Sequence, residues 1–297
     1  FSSRGESYVL FVERALDILQ HKGEFSYIIP DTYLNLSFTA ALREHLLRQS
    51  MLRELVLLPS QVFEDATVDT TLLFLQKTEY IQSFHESMVT VKCFGKQVKQ
   101  ISLDTPDAVR SISTAQWQQS GTFNAQSNTA EAALLDRIAA DCQLVGDTSE
   151  IFYGIKAYQI GKGKPPQTED VRDTKPFTSL EQVDETFLPF FDGKHIGRYE
   201  LTWKQNNWLQ YGPWLAEPRK PEKFIGEKIL IRKIVAETLI ATYVPETSYC
   251  NTLLYVLKIK EETGLSYRFL LGVLNSRFIG WYFRKKFQIS SDDTFPQ

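Results

Sequence analysis

Apolar residues recur at helical spacing almost from the first position: Tyr8, Phe11, Val12, Ala15, Leu16 and Leu19 form one stripe, and Gly23 follows as a stop signal. A short apolar strand, Phe25 to Ile29, is closed by Pro30, and a second helix is predicted from Ser37, the expected N-cap, through Phe38, Leu42, Leu46 and Leu47. A second apolar strand, Leu55 to Leu58, ends at Pro59. Continuous apolar strands flanking an amphipathic helix are the pattern of a parallel βαβ unit covered on both faces. A third run, Thr70 to Gln76, follows too closely for a helical crossover and is expected to return antiparallel at the sheet edge. Two parallel strands do not make a doubly wound sheet. Residues 1–80 therefore read as the second half of an α/β domain, in a chain that starts on Phe rather than Met.

Alternation at Met88 to Phe94 suggests one more strand, and the Ser/Gln/Asn/Thr-rich stretch from Ser111 to Asn128 reads as a surface linker anchored by Trp117 and Phe123. A helix from Glu131 to Cys142 carries Leu134, Leu135 and Ile138, and a boundary is expected near Leu144, giving segments 1–80, 81–143 and 144–297. Beyond it, short apolar runs at Ile151–Ile155, Ile229–Val235, Leu239–Val244 and Leu253–Ile259 indicate a mixed, strand-rich domain. A last helix is expected from Tyr267 to Lys286, ending in Arg284-Lys285-Lys286, where basic side chains complement the helix dipole.

Composition excludes several classes. With 43% hydrophobic residues, 20 Phe, 13 Tyr and 5 Trp in 297, wholesale disorder is excluded, and no apolar run is long enough to span a bilayer, so a cytoplasmic protein is expected. Cys93, Cys142 and Cys250 fit reduced thiols, and the scattered His21, His45, His85 and His195 have no ligand spacing, so no metal is expected. The net charge of −3 conceals an asymmetry: residues 1–150 hold 12 Lys and Arg against 19 Asp and Glu, residues 151–297 hold 21 against 17. The second half can thus carry a footprint for phosphates, although a solvated face gives the same counts.

The order Tyr8 to Leu19, then Gly23-Glu24-Phe25-Ser26-Tyr27-Ile28-Ile29-Pro30, Leu42-Arg43 with Leu46-Leu47, Val62-Phe63-Glu64-Asp65-Ala66 and Thr70 to Leu75 resembles class I adenine-N6 DNA methyltransferases of the restriction-modification type. The likeness is to the segment after their catalytic motif, in both TaqI-like and Eco57I-like enzymes. Ile151-Phe152-Tyr153-Gly154-Ile155-Lys156 and Leu271, Leu274, Asn275 and Ser276 resemble the TaqI-like specificity domain. The resemblance implies an α/β fold: the C-terminal half of a Rossmann-like methyltransferase sheet, followed by a mixed α+β target-recognition domain. It implies S-adenosyl-L-methionine as cofactor of the full-length enzyme, yet the glycine-rich turn and the Asn-Pro-Pro-Tyr motif of the family are absent. Gly161-Lys162-Gly163-Lys164-Pro165-Pro166 is only a flexible basic turn. This chain alone is expected to be inert.

These enzymes flip the target base, and in the family an aromatic at the position of Phe63 stacks on it; a core plug is the alternative. Candidate phosphate contacts are Lys156, Lys162, Lys164, Lys194, Arg198, Arg219, Lys220, Lys223, Lys228, Arg232 and Lys233, with ion pairing to a protein carboxylate as the alternative for Arg198 and Arg232. Tyr199, Trp203, Trp208, Tyr211 and Trp214, among Gln205, Asn206, Asn207 and Gln210, suit a loop probing base edges, but at least three of the five are expected to form a satellite core instead. Double-stranded DNA is the expected partner, with a nuclease domain or other restriction-modification or defence components beside it. Two other readings stay open: a non-catalytic DNA-binding specificity module, and methylation of RNA.

Overall fold

The computed structural model describes residues 6–59, 62–63, 68–79, 86–95, 101–125, 129–140, 142–235 and 237–287. The chain divides into two compact units, 1–137 with 286–288, and 138–285 with 289–297.

In the first unit, α1 (Ser7–Ile18) buries Tyr8, Val9, Val12 and Leu16, the stripe the spacing predicts. It leads to β1 (Glu24–Pro30), then 3-10 turns at Asp31–Leu34 and Ser37–Thr39 and α2 (Ala40–Gln49). Ser37 is not a cap: it opens the second 3-10 turn, and the Thr39 hydroxyl instead donates to the carbonyls of Tyr33 and Leu36. The strands β2 (Ser50–Leu57), β3 (Thr70–Lys77), β4 (Met88–Cys93) and β5 (Ala108–Ser113) complete a sheet of order β1-β3-β2-β4-β5. β3 is antiparallel as expected, but it lies between β1 and β2, not at the edge. The reason is in its own sequence, Thr-Thr-Leu-Leu-Phe-Leu, which is apolar on both faces; edge strands are usually short or charged. β4 is parallel to β2 and β5 antiparallel to β4, so residues 88–113, within the stretch read as a linker, carry two strands of the same sheet.

Next come α3 (Thr114–Ser120) and α4 (Thr129–Ala140). Trp117 and Phe123 are the anchors the sequence suggests: both are fully buried and stacked, with ring centroids 4.7 Å apart. One face of the sheet meets the helices in a core that includes Val12, Leu42, Leu46, Leu55 and Leu73; the other is covered by a smaller cluster around Val56, Leu58 and Phe94. Each such burial is worth roughly 1.5–3 kcal/mol.

The second unit opens with α5 (Val145–Thr148), β6 (Ser149–Tyr153), α6 (Glu169–Thr174) and β7 (Thr178–Ser179). The next strands are β8 (Phe187–Phe191), β9 (Trp208–Gln210), β10 (Lys228–Arg232), β11 (Ala241–Val244), β12 (Tyr249–Cys250) and β13 (Leu254–Ile259). They form two four-stranded sheets, β11-β10-β13-β6 and β12-β8-β9-β7, the first antiparallel throughout. A core that includes Phe190, Phe191, Leu215, Phe224, Leu230, Val244, Tyr249 and Val256 joins residues of both sheets. The helix expected over 267–286 is two helices, α7 (Tyr267–Leu274) and α8 (Arg277–Lys286), interrupted at Asn275-Ser276. The break has a physical cause. Asn275 is fully buried, and its amide side chain is spent on β11, as described below.

Candidate nucleic-acid interface

Four of the five aromatics between 199 and 214 build a core. Trp208 is buried, and Trp203 packs edge-on against both Trp208 and Phe191, with centroids 5.0 and 5.4 Å apart. Tyr211 stacks on Tyr249 at 5.0 Å and donates its hydroxyl proton to the Arg219 carbonyl at 2.7 Å; burial pushes the phenol pKa of both tyrosines up. Trp214 meets Phe177 at 5.9 Å, and its indole donates to the Gln210 carbonyl. Tyr199 alone of the five projects, 51% exposed. This fits the expectation that at least three of the five form a satellite core; Trp203 and Trp208, also candidates for DNA contact, lie among these four.

Backbone pairing gathers one group of cations. Lys156 forms a two-way bridge with Glu217, 3.2 and 2.8 Å, so it stands opposite the stretch that carries Arg219 and Lys220. Lys162 and Lys164 lie on the following turn, which is not free to wander. The side chain of Gln167, itself buried, accepts from the Gln159 amide and donates to the carbonyls of Ala157 and Trp214, each at 2.8 Å, and the Lys164 amide donates to Pro213. Gly163, at φ +88°, passes so close to the Trp214 carbonyl that an added Cβ would lie 2.4 Å from its oxygen. Gly154 is equally constrained: a Cβ there would collide with the Asn251 carbonyl. The flexible turn expected at 161–166 is thus a tethered one. Lys156, Lys162, Lys164 and Lys220 are all exposed on this side.

A second group surrounds the hairpin at 196–201, where the Gly197 amide donates to Glu200 and the Thr202 amide to His195. Lys194 stands at its root, 3.5 Å from Asp192, and His195 is a packing residue whose Nδ1 accepts from the Asp192 amide; desolvation lowers its pKa. At the tip, the Arg198 guanidinium donates through Nε and one Nη to the Asn275 carbonyl, 3.0 and 2.9 Å, and lies 5.2 Å from the centre of the Tyr199 ring. Neither a carboxylate nor the solvent alone explains Arg198: it caps the C-terminal end of α7, where a cation is favoured. The Tyr199 amide donates to the Ala241 carbonyl, which also accepts from the Asn275 side chain at 2.9 Å, while Asn275 Oδ1 accepts from the Ala241 amide. Asn275 therefore acts as one residue of an extra strand against the edge of β11. Arg232 joins this group through its amide bond to Ile240, next to Ala241, and Lys233 follows it.

Two predicted phosphate contacts need correction. Lys228 is fully buried, with its ammonium donating to the carbonyls of Phe224, Gly226 and Glu246 at 3.0, 3.0 and 2.6 Å. All three protons are used, and burial pulls its pKa down to about 8. Arg219, half-buried, pairs with Glu217 and donates to the Gly154 carbonyl, so its guanidinium is engaged within the protein. Lys223 lies over the Phe152 ring at 4.1 Å. In the first unit, Phe63 is 46% exposed rather than a core plug, and it follows the C-terminal end of β2. β1, β2 and β4 run the same way, and ligands of open α/β sheets bind at the C-terminal ends of such strands. The sequence reading missed Asn275 and Gln167 as the residues that fix the loops. The only available signal for Asn275 was an amide in the middle of an otherwise apolar helical stripe.

Known proteins agree with this organisation at both ends of the chain. Residues 1–63 match the Eco57I restriction-modification methylase family, and residues 188–297 match the TaqI-like C-terminal specificity domain. A Methanocaldococcus jannaschii protein bearing the name of a type II restriction enzyme and methyltransferase is 26% identical over 302 aligned residues, covering 98% of this chain and 24% of its own length. The type II restriction enzyme and methyltransferase Eco57I of Escherichia coli is 37% identical over 93 residues, 31% of this chain and 9% of that protein. The chain spans about a quarter of the length of the first relative and less of the second. Among solved structures, the ATP-dependent Type ISP restriction-modification enzyme LlaBIII bound to DNA superposes with a TM-score of 0.54 at 11% identity, covering 98% of this chain and 25% of that one. A nuclease-deletion mutant of the Type ISP enzyme LlaGI, in complex with a DNA substrate mimic, gives 0.52 at 12%, covering 98% and 29%. At these identities the two structures speak for the fold. The chain is thus similar to the Eco57I restriction-modification methylase family over residues 1–63 and to the TaqI-like C-terminal specificity domain over residues 188–297.

Proposed function

We propose that this chain is the sequence-reading and target-base-positioning part of a site-specific DNA adenine-N6 methyltransferase of the cytoplasm. The observation that carries the reading is the order of the two family matches on one chain, methylase segment first and specificity domain after it. The exposed cations at 156, 162, 164 and 220, with Lys194, Arg198, Arg232 and Lys233 around the 196–201 hairpin, suit phosphate contacts that set register without reading sequence. Phe63 suits a stacking partner for a flipped adenine, being a large aromatic left half exposed at the ligand-binding end of the parallel strands. The methyl donor would be S-adenosylmethionine. No residue of this chain is assigned to it, because neither the glycine-rich turn nor the Asn-Pro-Pro-Tyr motif occurs among the 297 residues.

The test is transfer of labelled methyl from S-adenosylmethionine to mixed-sequence duplex DNA by a longer protein containing this chain, by its Phe63→Ala variant, and by the chain alone. Label is expected at adenine N6 in the first, reduced on the order of 10- to 100-fold in the second, as loss of one base–aromatic stack implies. None is expected in the third. Transfer at the parent rate by Phe63→Ala removes the stacking role. A parent that binds duplex DNA and transfers nothing is a specificity module instead.

A further inference from the structure

Tyr199 occupies a backbone conformation that its side chain makes costly. Its φ is +67°, in the left-handed region where glycine and asparagine are at home and an aromatic residue is rare. The hairpin does not need this side chain. What holds the tip is backbone and neighbouring groups: the Tyr199 amide on Ala241, Gly197 on Glu200, and the Arg198 guanidinium on the Asn275 carbonyl. A glycine at 199 would make the same amide bond without the strain. The ring, meanwhile, is 51% exposed, while Trp203, Trp208, Tyr211 and Trp214 all pack inward. An aromatic residue held under strain, outward, on a rigid hairpin, is a feature whose use lies outside the fold.

We infer that Tyr199 is a base-stacking wedge, pressed by the 196–201 hairpin against a base step of duplex DNA and contributing to the choice of sequence. The inference rests on the DNA-reading function proposed above. Two neighbours fit it. Arg198, fixed on Asn275, stiffens the ring from one side at 5.2 Å, and cations at Lys194, Arg232 and Lys233 lie on the segments next to the hairpin, where phosphates flanking such a step would run. Glu200, exposed at the same tip, would be repelled by a phosphate but can accept from the cytosine amine, which points the tip at bases rather than backbone. Apolar and aromatic wedges of this kind unstack a step and read how easily a sequence deforms.

The experiment selects sequences from a random duplex DNA library with the complete chain, with Tyr199→Gly and with Tyr199→Phe, and records the melting temperature of each. Wild type enriches a motif. Tyr199→Phe keeps the motif. Tyr199→Gly melts at or above the wild-type temperature, since the strain is relieved, yet its enrichment of that motif falls on the order of 10- to 100-fold, the size of one lost stack. Equal enrichment by Tyr199→Gly overturns the inference, and so does a melting temperature well below wild type, which assigns the ring a structural role. A wild-type chain that retains no duplex at all overturns the DNA-reading function itself, and the wedge with it.

Discussion

Asn275 offers a sharp test of the second unit, because one atom of its side chain decides the outcome. In Asn275→Asp the oxygen facing the Ala241 amide keeps its hydrogen bond, but the donor to the Ala241 carbonyl at 2.9 Å becomes an oxygen. The site is fully buried. An ionised carboxylate there faces a carbonyl in a low dielectric, whereas a protonated one can donate as the amide did. Holding an aspartic acid protonated at pH 7, from an unfolded pKa of about 3.9, costs about 4 kcal/mol, and this is the upper limit of the loss at that pH. Arg198, on the backbone oxygen of the same residue, attracts the carboxylate and lowers the figure, so a loss of about 2–4 kcal/mol is expected. The sign follows from the raised folded pKa. Between the unfolded and folded values the native state holds the extra proton, so the stability of the variant falls as pH rises and recovers as pH drops, by at most ~1.4 kcal/mol per unit. Urea unfolding of wild type, Asn275→Asp and Asn275→Ala at pH 5 and 7 reads this directly. The gap to wild type should narrow at pH 5 for aspartate and stay constant for alanine. A gap for aspartate that does not narrow by ~1 kcal/mol refutes the placement of the amide against β11.

Two further changes probe buried cations. Lys228, with its folded pKa near 8, releases its proton earlier in the native than in the unfolded chain, so it makes stability rise with pH from about 8 toward 10. Cys250, its thiol pushed up to about 12 by burial, works the other way, so the comparison must be with Lys228→Met: wild type should gain on the variant by up to ~1.4 kcal/mol per pH unit, and parallel curves would argue against the buried ammonium. In the first unit, Arg43 is almost fully buried and donates to the carbonyls of Gly121, Tyr33 and Leu36 and to the Thr39 hydroxyl, at 2.8 to 2.9 Å. Arg43→Met strands those acceptors and should cost about 3–5 kcal/mol in chemical denaturation; a loss under ~1 kcal/mol would mean that water replaces the guanidinium.

The apolar pattern was enough to find α1, β1, β2 and the strands β6, β10, β11 and β13, because burial on one or both faces leaves a period in the sequence. It could not place β3. Whether a strand returns at an edge or slides between two others depends on pairing across the chain, and only the two-sided apolar run Leu72 to Leu75 hinted at a central position. The aromatic segment misled in part for a similar reason. Trp203 and Trp208 have the composition of a probing loop, and nothing local distinguishes a ring that points out from one that packs under it. Lysine brings the same ambiguity, since Lys228 satisfies its charge with three carbonyls from segments not adjacent in pattern. Backbone conformation is hidden altogether: that Tyr199 has a positive φ is not written in Arg-Tyr-Glu.

The insertion of β3 also sets an order of assembly. Among the described residues β1 pairs with β3, and each of those pairings, from Pro30 with Thr70 to Glu24 with Gln76, reaches across the whole of α2 and β2. β2, made in between, waits with its β3 edge unfilled until the chain doubles back between the two, and with its β4 edge unfilled for longer. The closure entropy of that return falls on a single event, the arrival of residues 70–77, which draws both earlier strands into the sheet together. Until Lys77, the last residue of β3, has been made, the edges of β1 and β2 that β3 fills stay open and sticky, and the other edge of β2 closes only when β4 arrives.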